Sequence, residues 1–159
     1  MKYSDVVLTR RAAMNFLARR EHSFYDLKKK LINKYPEINT KIIEQTISKL
    51  KTENLQSDER FTQSLVRFRK NKGFGYKYIK ALLISQRIEL DIIEKYLHKD
   101  EHEWICLASK LFLKKLGRKG FLKFGSKSYR KITLYMSNRG FTPYEIHNAI
   151  RSNTRIIYS

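Results

Sequence analysis

Apolar residues return at steps of three and four along most of this chain, the spacing that lines one face of an α-helix. Leu8, Ala12, Ala13, Phe16 and Leu17 make one such face, Leu27 and Leu31 a second, and Ile42, Ile43, Ile47 and Leu50 a third. Nothing alternates with period two for long. The 2 prolines and 6 glycines leave long stretches uninterrupted, so the fold class expected is all-α.

The helical faces also repeat, which is the mark of a modular array. Ser23-Phe24-Tyr25-Asp26-Leu27, Gly75-Tyr76-Lys77-Tyr78-Ile79 and Ser128-Tyr129-Arg130-Lys131-Ile132 all read small, aromatic, any, any, aliphatic, with 52 residues from Ser23 to Gly75 and 53 from Gly75 to Ser128. Four residues further on stand Leu31, Leu83 and Met136. The next helix of each unit supplies Ile43 and Ile47, Ile93 and Leu97, Ile146 and Ile150. The preceding helices register as well, Ala13 and Phe16 with Leu65 and Phe68. Three tandem three-helix modules are expected, at 1–56, 57–100 and 101–159, the first with a short insertion around Tyr35-Pro36-Glu37.

Local signals set several boundaries. Ser23, Gly75 and Ser128 are the expected N-caps of each module's second helix. Thr142-Pro143-Tyr144-Glu145 combines an N-cap, a proline at the first helical position and a capping-box glutamate, with Gly140 suited to end the helix before it. In the third module, residues 118–127 form a basic insertion, Arg118-Lys119-Gly120-Phe121-Leu122-Lys123-Phe124-Gly125-Ser126-Lys127, which reads either as a loop or as an early start of the next helix.

Charge changes this picture from fold to partner. The 34 lysines and arginines against 15 acids leave +19, while 42% hydrophobic and 13% aromatic residues still supply a core. A surplus of that size attracts polyanions from a distance, so nucleic acid or a protein lying on it leads as partner class. The cations gather in two acid-free stretches. One runs from Phe61 to Ile88 with Arg67, Arg69, Lys70, Lys72, Lys77, Lys80 and Arg87; the other lies between Trp104 and Tyr144 with Lys110, Lys114, Lys115, Arg118, Lys119, Lys123, Lys127, Arg130, Lys131 and Arg139. Tyr76 and Tyr129 repeat at core-like positions and are read as packing residues, leaving the cations for phosphates or acidic side chains.

Catalytic chemistry finds little footing. His98 and His102 stand four apart beside Asp100, Glu101 and Glu103, but without the HExxH order or a third evident ligand. Gly73-Phe74-Gly75 lacks the Lys-Ser/Thr of a phosphate loop. Cys106, the lone cysteine, excludes an internal disulfide and is expected to be a buried thiol. No cofactor, metal or enzymatic activity is expected. The run Val6-Val7-Leu8 is too short for a signal-peptide core and no apolar run reaches membrane-spanning length, so a cytoplasmic protein, monomeric and without a membrane partner, is expected.

Several segments together resemble the RecX family of bacterial recombinase regulators. They are Phe16-Leu17-Ala18-Arg19-Arg20-Glu21-His22-Ser23-Phe24-Tyr25-Asp26-Leu27, Asp58-Glu59-Arg60-Phe61, Val66-Arg67-Phe68-Arg69-Lys70-Asn71-Lys72-Gly73-Phe74-Gly75, Lys114-Lys115-Leu116-Gly117 and Arg139-Gly140-Phe141, in order along the whole chain. The chain departs from the family pattern at Thr62, Tyr76 and Ala81, where Ala, Pro and Glu respectively are common. The resemblance implies three tandem three-helix modules in an elongated, curved array. It also implies a non-enzymatic modulator that binds RecA, chiefly its filament on single-stranded DNA, and suppresses ATPase, strand exchange and co-protease activity. On that reading Arg67, Arg69, Lys70, Lys72 and Lys77, with Lys114, Lys115, Arg118, Lys119, Lys123, Lys127, Arg130, Lys131 and Arg139, face acidic RecA surface or DNA phosphates. The rival is a DNA-binding protein acting without RecA, each module's third helix serving as reader in helix-turn-helix fashion. Those helices are poor in Arg and carry acids.

Overall fold

The structure, a computed structural model, describes residues 3–117 and 121–157. Among the described residues nine helices and two short strands follow in the order α1 (Tyr3–Leu17), α2 (Phe24–Lys34), α3 (Thr40–Thr52), α4 (Asp58–Asn71), α5 (Tyr76–Ser85), α6 (Leu90–Tyr96), α7 (Glu101–Leu116), β1 (Phe121–Lys123), α8 (Lys127–Asn138), α9 (Pro143–Asn153) and β2 (Arg155–Ile157). The class is all-α, with the expected helical repeat. Added to it among the described residues is the short parallel pairing of β1 with β2, Leu122 opposite Ile156. Within the expected insertion, residues 118–120 lie outside the described residues. Of the rest, Phe121–Lys123 is strand, residues 124–126 form a turn, and α8 starts at Lys127, ahead of the Ser128 cap expected from the sequence.

Two compact units are formed, one of residues 1–65 and 83–96, the other of 66–82 and 97–159. The first is built on Ala12, Ala13, Leu27, Leu31, Ile38, Ile43, Ile47 and Leu50, all buried, with Phe16, Leu17, Phe24 and Ile42 packed against them. The second buries Trp104, Ala108, Leu111, Phe112 and Leu116 of α7 together with Met136 of α8 and Ile146, Ala149 and Ile150 of α9.

The repeat positions are nearly all buried: Leu27 and Ile79, then Leu31, Leu83 and Met136, then Ile43, Ile47, Ile93, Leu97, Ile146 and Ile150. Ile132 is only half-buried. A further repeat underlies these. Ile38, Ile88 and Phe141 are buried two residues before α3, α6 and α9, and Ile43, Ile93 and Ile146 sit at each helix's fourth position. These are the N′ and N4 sites of a hydrophobic staple, which fixes the angle at which the chain enters a helix.

Three expectations are corrected. The N-cap of α8 is Ser126, whose Oγ accepts from the Tyr129 amide at 3.2 Å; Ser128 lies inside the helix. The chain turns at Gly125 with φ +70, and α8 therefore begins two residues earlier than its sisters. Tyr129 becomes its third residue, where Phe24 and Tyr76 are the first of α2 and α5. Phe68, aligned with the half-buried Phe16, is 52% exposed, since α4 turns Phe61, Thr62 and Val66 inward instead. Cys106 is exposed, because α7 buries Trp104, Ala108 and Leu111 on its other face. Ser23 caps α2 as expected, its Oγ accepting from the Asp26 amide, and Thr142 with Glu145 forms the complete capping box on α9.

Candidate functional site

Two segments far apart in sequence, Gly73-Phe74-Gly75 and Arg139-Gly140-Phe141, meet backbone to backbone in the second unit. The Gly75 amide donates to the Arg139 carbonyl at 2.7 Å and the Lys77 amide to the Gly140 carbonyl at 3.3 Å. Gly140 has φ +90, and a Cβ there would lie 2.4 Å from the Tyr78 nitrogen; one on Gly75 would lie 2.6 Å from the Gly140 carbonyl carbon. Only glycine permits this approach.

Around the joint, guanidinium groups lie on aromatic faces. Arg139 stands over Phe74 at 4.4 Å and Tyr135 at 4.9 Å, and Arg69 over the same Phe74 at 5.3 Å and Tyr78 at 5.9 Å. Phe74 stacks on Tyr78 with centroids 4.2 Å apart. Lys115 extends the row, 4.1 Å above Tyr135, and Lys72 stands 5.6 Å from Phe68. Arg139 Nη1 also donates to the Lys72 carbonyl at 2.5 Å. Lys70 is held by Glu103 at 2.7 Å and by the face of Trp104 at 4.8 Å, while Tyr76 meets Trp104 edge-on at 5.8 Å.

The structure thus divides the fourteen basic residues singled out by the sequence. Arg69, Lys70 and Arg139 are half-buried, the two arginines at the joint and Lys70 against Glu103 and Trp104 of α7; Lys115 and Lys72 are exposed but lie over rings. Arg67, Lys77 and Lys114 are exposed and form no ion pair among the described residues, and the same holds for Lys123, Lys127, Arg130 and Lys131. Arg118 and Lys119 lie outside the described residues. Lys127, Arg130 and Lys131 come together, lining a shallow open groove with Gly125 and Leu134. Sequence reasoning passed over Gly125 and Leu134, and over Phe74, Tyr78 and Tyr135 as partners of the arginines. The spacings Phe74–Tyr78 and Arg130–Leu134, both four residues on a helix or its lead-in, were the available signal.

Ion pairing sharpens the contrast between the units. In the first, Arg10 pairs with Glu53, Arg20 with Asp26, Lys28 with Glu44, Arg60 with Glu21 and Lys95 with Glu59. In the second, Lys70–Glu103 is the one pair among the described residues.

The first unit's motif residues build a polar latch. Buried His22 places Nδ1 2.7 Å from Asp26 Oδ2, and its carbonyl accepts from Gln56 Nε2 at 3.1 Å. Gln56 Nε2 also reaches Asp58 Oδ1, which accepts from the Phe24 amide at 2.8 Å. Burial lowers the His22 pKa below its usual 6.5 despite the Asp26 hydrogen bond, keeping the ring neutral. Asp26 is lowered from 3.8; its own burial acts the other way and is outweighed by the His22 hydrogen bond and the charges of Arg20 and Lys30. This latch ties the α1–α2 turn to the start of α4 and presents no open chemistry.

Among the described residues no three His, Cys, Asp or Glu side chains are grouped to hold a metal ion. His98 contributes its carbonyl to the Trp104 indole at 3.0 Å, and His102 Nδ1 lies 3.8 Å from Cys106 Sγ. No helix among the described residues is long and apolar enough to cross a membrane. What remains is a cationic surface, suited to binding anions.

Comparison with known proteins gives this surface a context. No family model matches the chain. Regulatory protein RecX of Haemophilus ducreyi is 35% identical over 125 residues, 79% of this chain and 79% of that protein. Regulatory protein RecX of Actinobacillus pleuropneumoniae is 33% identical over 138 residues, 84% of this chain and 87% of that protein. The crystal structure of RecX from Lactobacillus salivarius superposes with a TM-score of 0.74 at 24% identity, covering 95% of this chain and 97% of that one, and so shares its fold.

Proposed function

The chain belongs to the RecX family of regulatory proteins, and from that premise we propose that it inhibits RecA by binding the filament RecA forms on single-stranded DNA. ATP hydrolysis, strand exchange and co-protease activity are suppressed together on this reading, because all three are activities of that one filament. The observation that carries this reading is the second unit's surplus of exposed cations that form no ion pair among the described residues, a surface in want of an acidic or phosphate-bearing partner. Its cations divide in role: Arg67, Lys77, Lys114, Lys123, Lys127, Arg130 and Lys131 meet acidic RecA side chains or DNA phosphates, Lys72 and Lys115 assist from their ring faces, Arg69 and Arg139 hold the joint in shape, and Lys70 stays against Glu103 and Trp104. Arg118 and Lys119 continue the same row in sequence.

The modules 1–56, 57–100 and 101–159 act as linked contacts, each weak alone and firm together through effective concentration. A chain that holds several filament positions at once opposes rearrangement to the extent that it binds one filament state better than the other. No metal or cofactor takes part, and the protein works in the cytoplasm beside RecA.

The test is DNA-dependent ATP hydrolysis by RecA filaments titrated with this protein. Inhibition is expected well below the concentration that coats free single strands. Reversing Lys114, Lys115, Arg118 and Lys119 together to Glu is expected to abolish it while the buried Trp104 keeps its native fluorescence. Full inhibition by that variant at physiological salt, or binding to bare DNA with no effect on ATP turnover, would reject the proposal.

A further inference from the structure

The groove at the start of α8 has a composition that selects among anions. Gly125, Lys127, Arg130, Lys131 and Leu134 line it. Lys127, Lys131 and Leu134 share one helical face, at steps of four and three, and Arg130 stands one turn before Leu134, so a row of positive charge leads to an aliphatic side chain. Leu134 is 62% exposed although α8 buries Met136 two residues later. The three cations form no ion pair among the described residues, and α8 itself carries no acid.

Single-stranded nucleic acid is held by cationic grooves whose aromatic side chains stack on bases. Among the described residues no ring lines this groove. Tyr129, the nearest on α8, is engaged instead with Phe124 at a centroid distance of 5.0 Å. Carboxylates are matched by the cations, and Leu134 by an apolar side chain that a phosphate backbone does not have.

We infer that this groove docks an acidic peptide segment of a protein partner, seating one aliphatic or aromatic side chain against Leu134 between carboxylates paired with Lys127, Arg130 and Lys131. It rests on reading the second unit as the partner-binding face, and it deepens that reading by assigning one part of the face to protein rather than to DNA. Charge brings the segment in and sets a salt-dependent rate; the apolar side chain supplies selectivity among acidic sequences.

The probes are a fluorescein-labelled peptide of alternating Asp and Glu with Leu at its centre, the same peptide with Ser at its centre, and labelled oligothymidine. All three are titrated by anisotropy against the full chain. The Leu peptide is expected to bind about tenfold tighter than the Ser peptide, the scale of one aliphatic group in a pocket. Leu134→Ser erases that preference and leaves oligothymidine unaffected, and K127E/R130E/K131E removes binding of both peptides. Equal affinity for the two peptides, no binding of either, or oligothymidine displacing the Leu peptide with loss of oligothymidine binding in the triple variant would overturn the assignment. RecA inhibition is read in parallel. A chain that prefers the Leu peptide but leaves RecA turnover unchanged keeps the groove and loses the filament reading. A chain that inhibits RecA and shows no peptide preference does the reverse.

Discussion

Replacing Gly140 by Ala tests the backbone joint of the second unit. At φ +90 an L-residue is strained by roughly 1–2 kcal/mol. The new methyl would also stand 2.4 Å from the Tyr78 nitrogen and 2.6 Å from its Cβ, on a helix start that cannot swing aside. Forced overpacking of that kind costs typically about 1–3 kcal/mol, so the total is roughly 2–5 kcal/mol. Against an overall stability on the order of 5–15 kcal/mol this is a large fraction. Gly125→Ala is the control: φ +70 gives similar strain, but nothing lies within 4 Å of the added Cβ. Trp104, the only tryptophan, is 1% exposed in the second unit and reports its unfolding. In urea the Gly140→Ala midpoint is expected to fall by about 1–2 M relative to the native chain, and the Gly125→Ala midpoint by clearly less. Equal losses for the two variants would show that strain alone acts and that the close approach of Gly140 to Tyr78 is not present.

The split among the cations is checked by Arg139→Ala and Arg130→Ala. The first loses two ring faces and a charged hydrogen bond and should destabilise by roughly 2–4 kcal/mol; the second should stay within about 0.5 kcal/mol of the native chain in the same denaturation. The latch gives the first unit a pH dependence with a defined sign. His22 titrates below its unfolded value of 6.5, so the unfolded chain takes up the proton first and stability is lost as pH falls below 6.5. Asp26, lowered from 3.8, adds a second loss below that value. Calorimetry across this range should show the first decline flattened in His22→Gln; an unchanged slope would remove His22 as its source.

The helices and most core positions were legible because burial follows spacing. Leu31, Ile43 and Ile47 have counterparts in both later repeats that are buried in turn, and of Leu27's two, Ile79 is buried and Ile132 half-buried. The caps at Ser23 and Thr142 were legible because each serves the helix that follows it directly. Ser126 and not the expected Ser128 caps α8, since aligning the aromatics aligns side chains and not helix starts. The strand pairing of Phe121–Lys123 with Arg155–Ile157 is non-local and only three residues long, too short to show an alternating pattern. For the site, spacing could locate the basic stretches but not the state of each cation. Whether Arg69 lies over Phe74, or Lys70 against Glu103, depends on which turn of another helix comes alongside.

Electrostatics and packing meet in that last point. Arg69 and Arg139 share the face of Phe74, and Arg139 and Lys115 share Tyr135, so like charges are held close without an acid between them. Ring quadrupoles offset part of the repulsion, but each exposed cation added nearby raises it. The first unit disperses its charge through ion pairs such as Arg60–Glu21 and Arg10–Glu53. The second leaves it standing in the folded state. An anionic partner that binds this surface therefore gains its own contacts and also relieves repulsion already present, and by linkage it stabilises the unit it binds. Glycines and aromatics fix the geometry of the joint, and among the described residues Lys70–Glu103 is the one ion pair that offsets the second unit's charge.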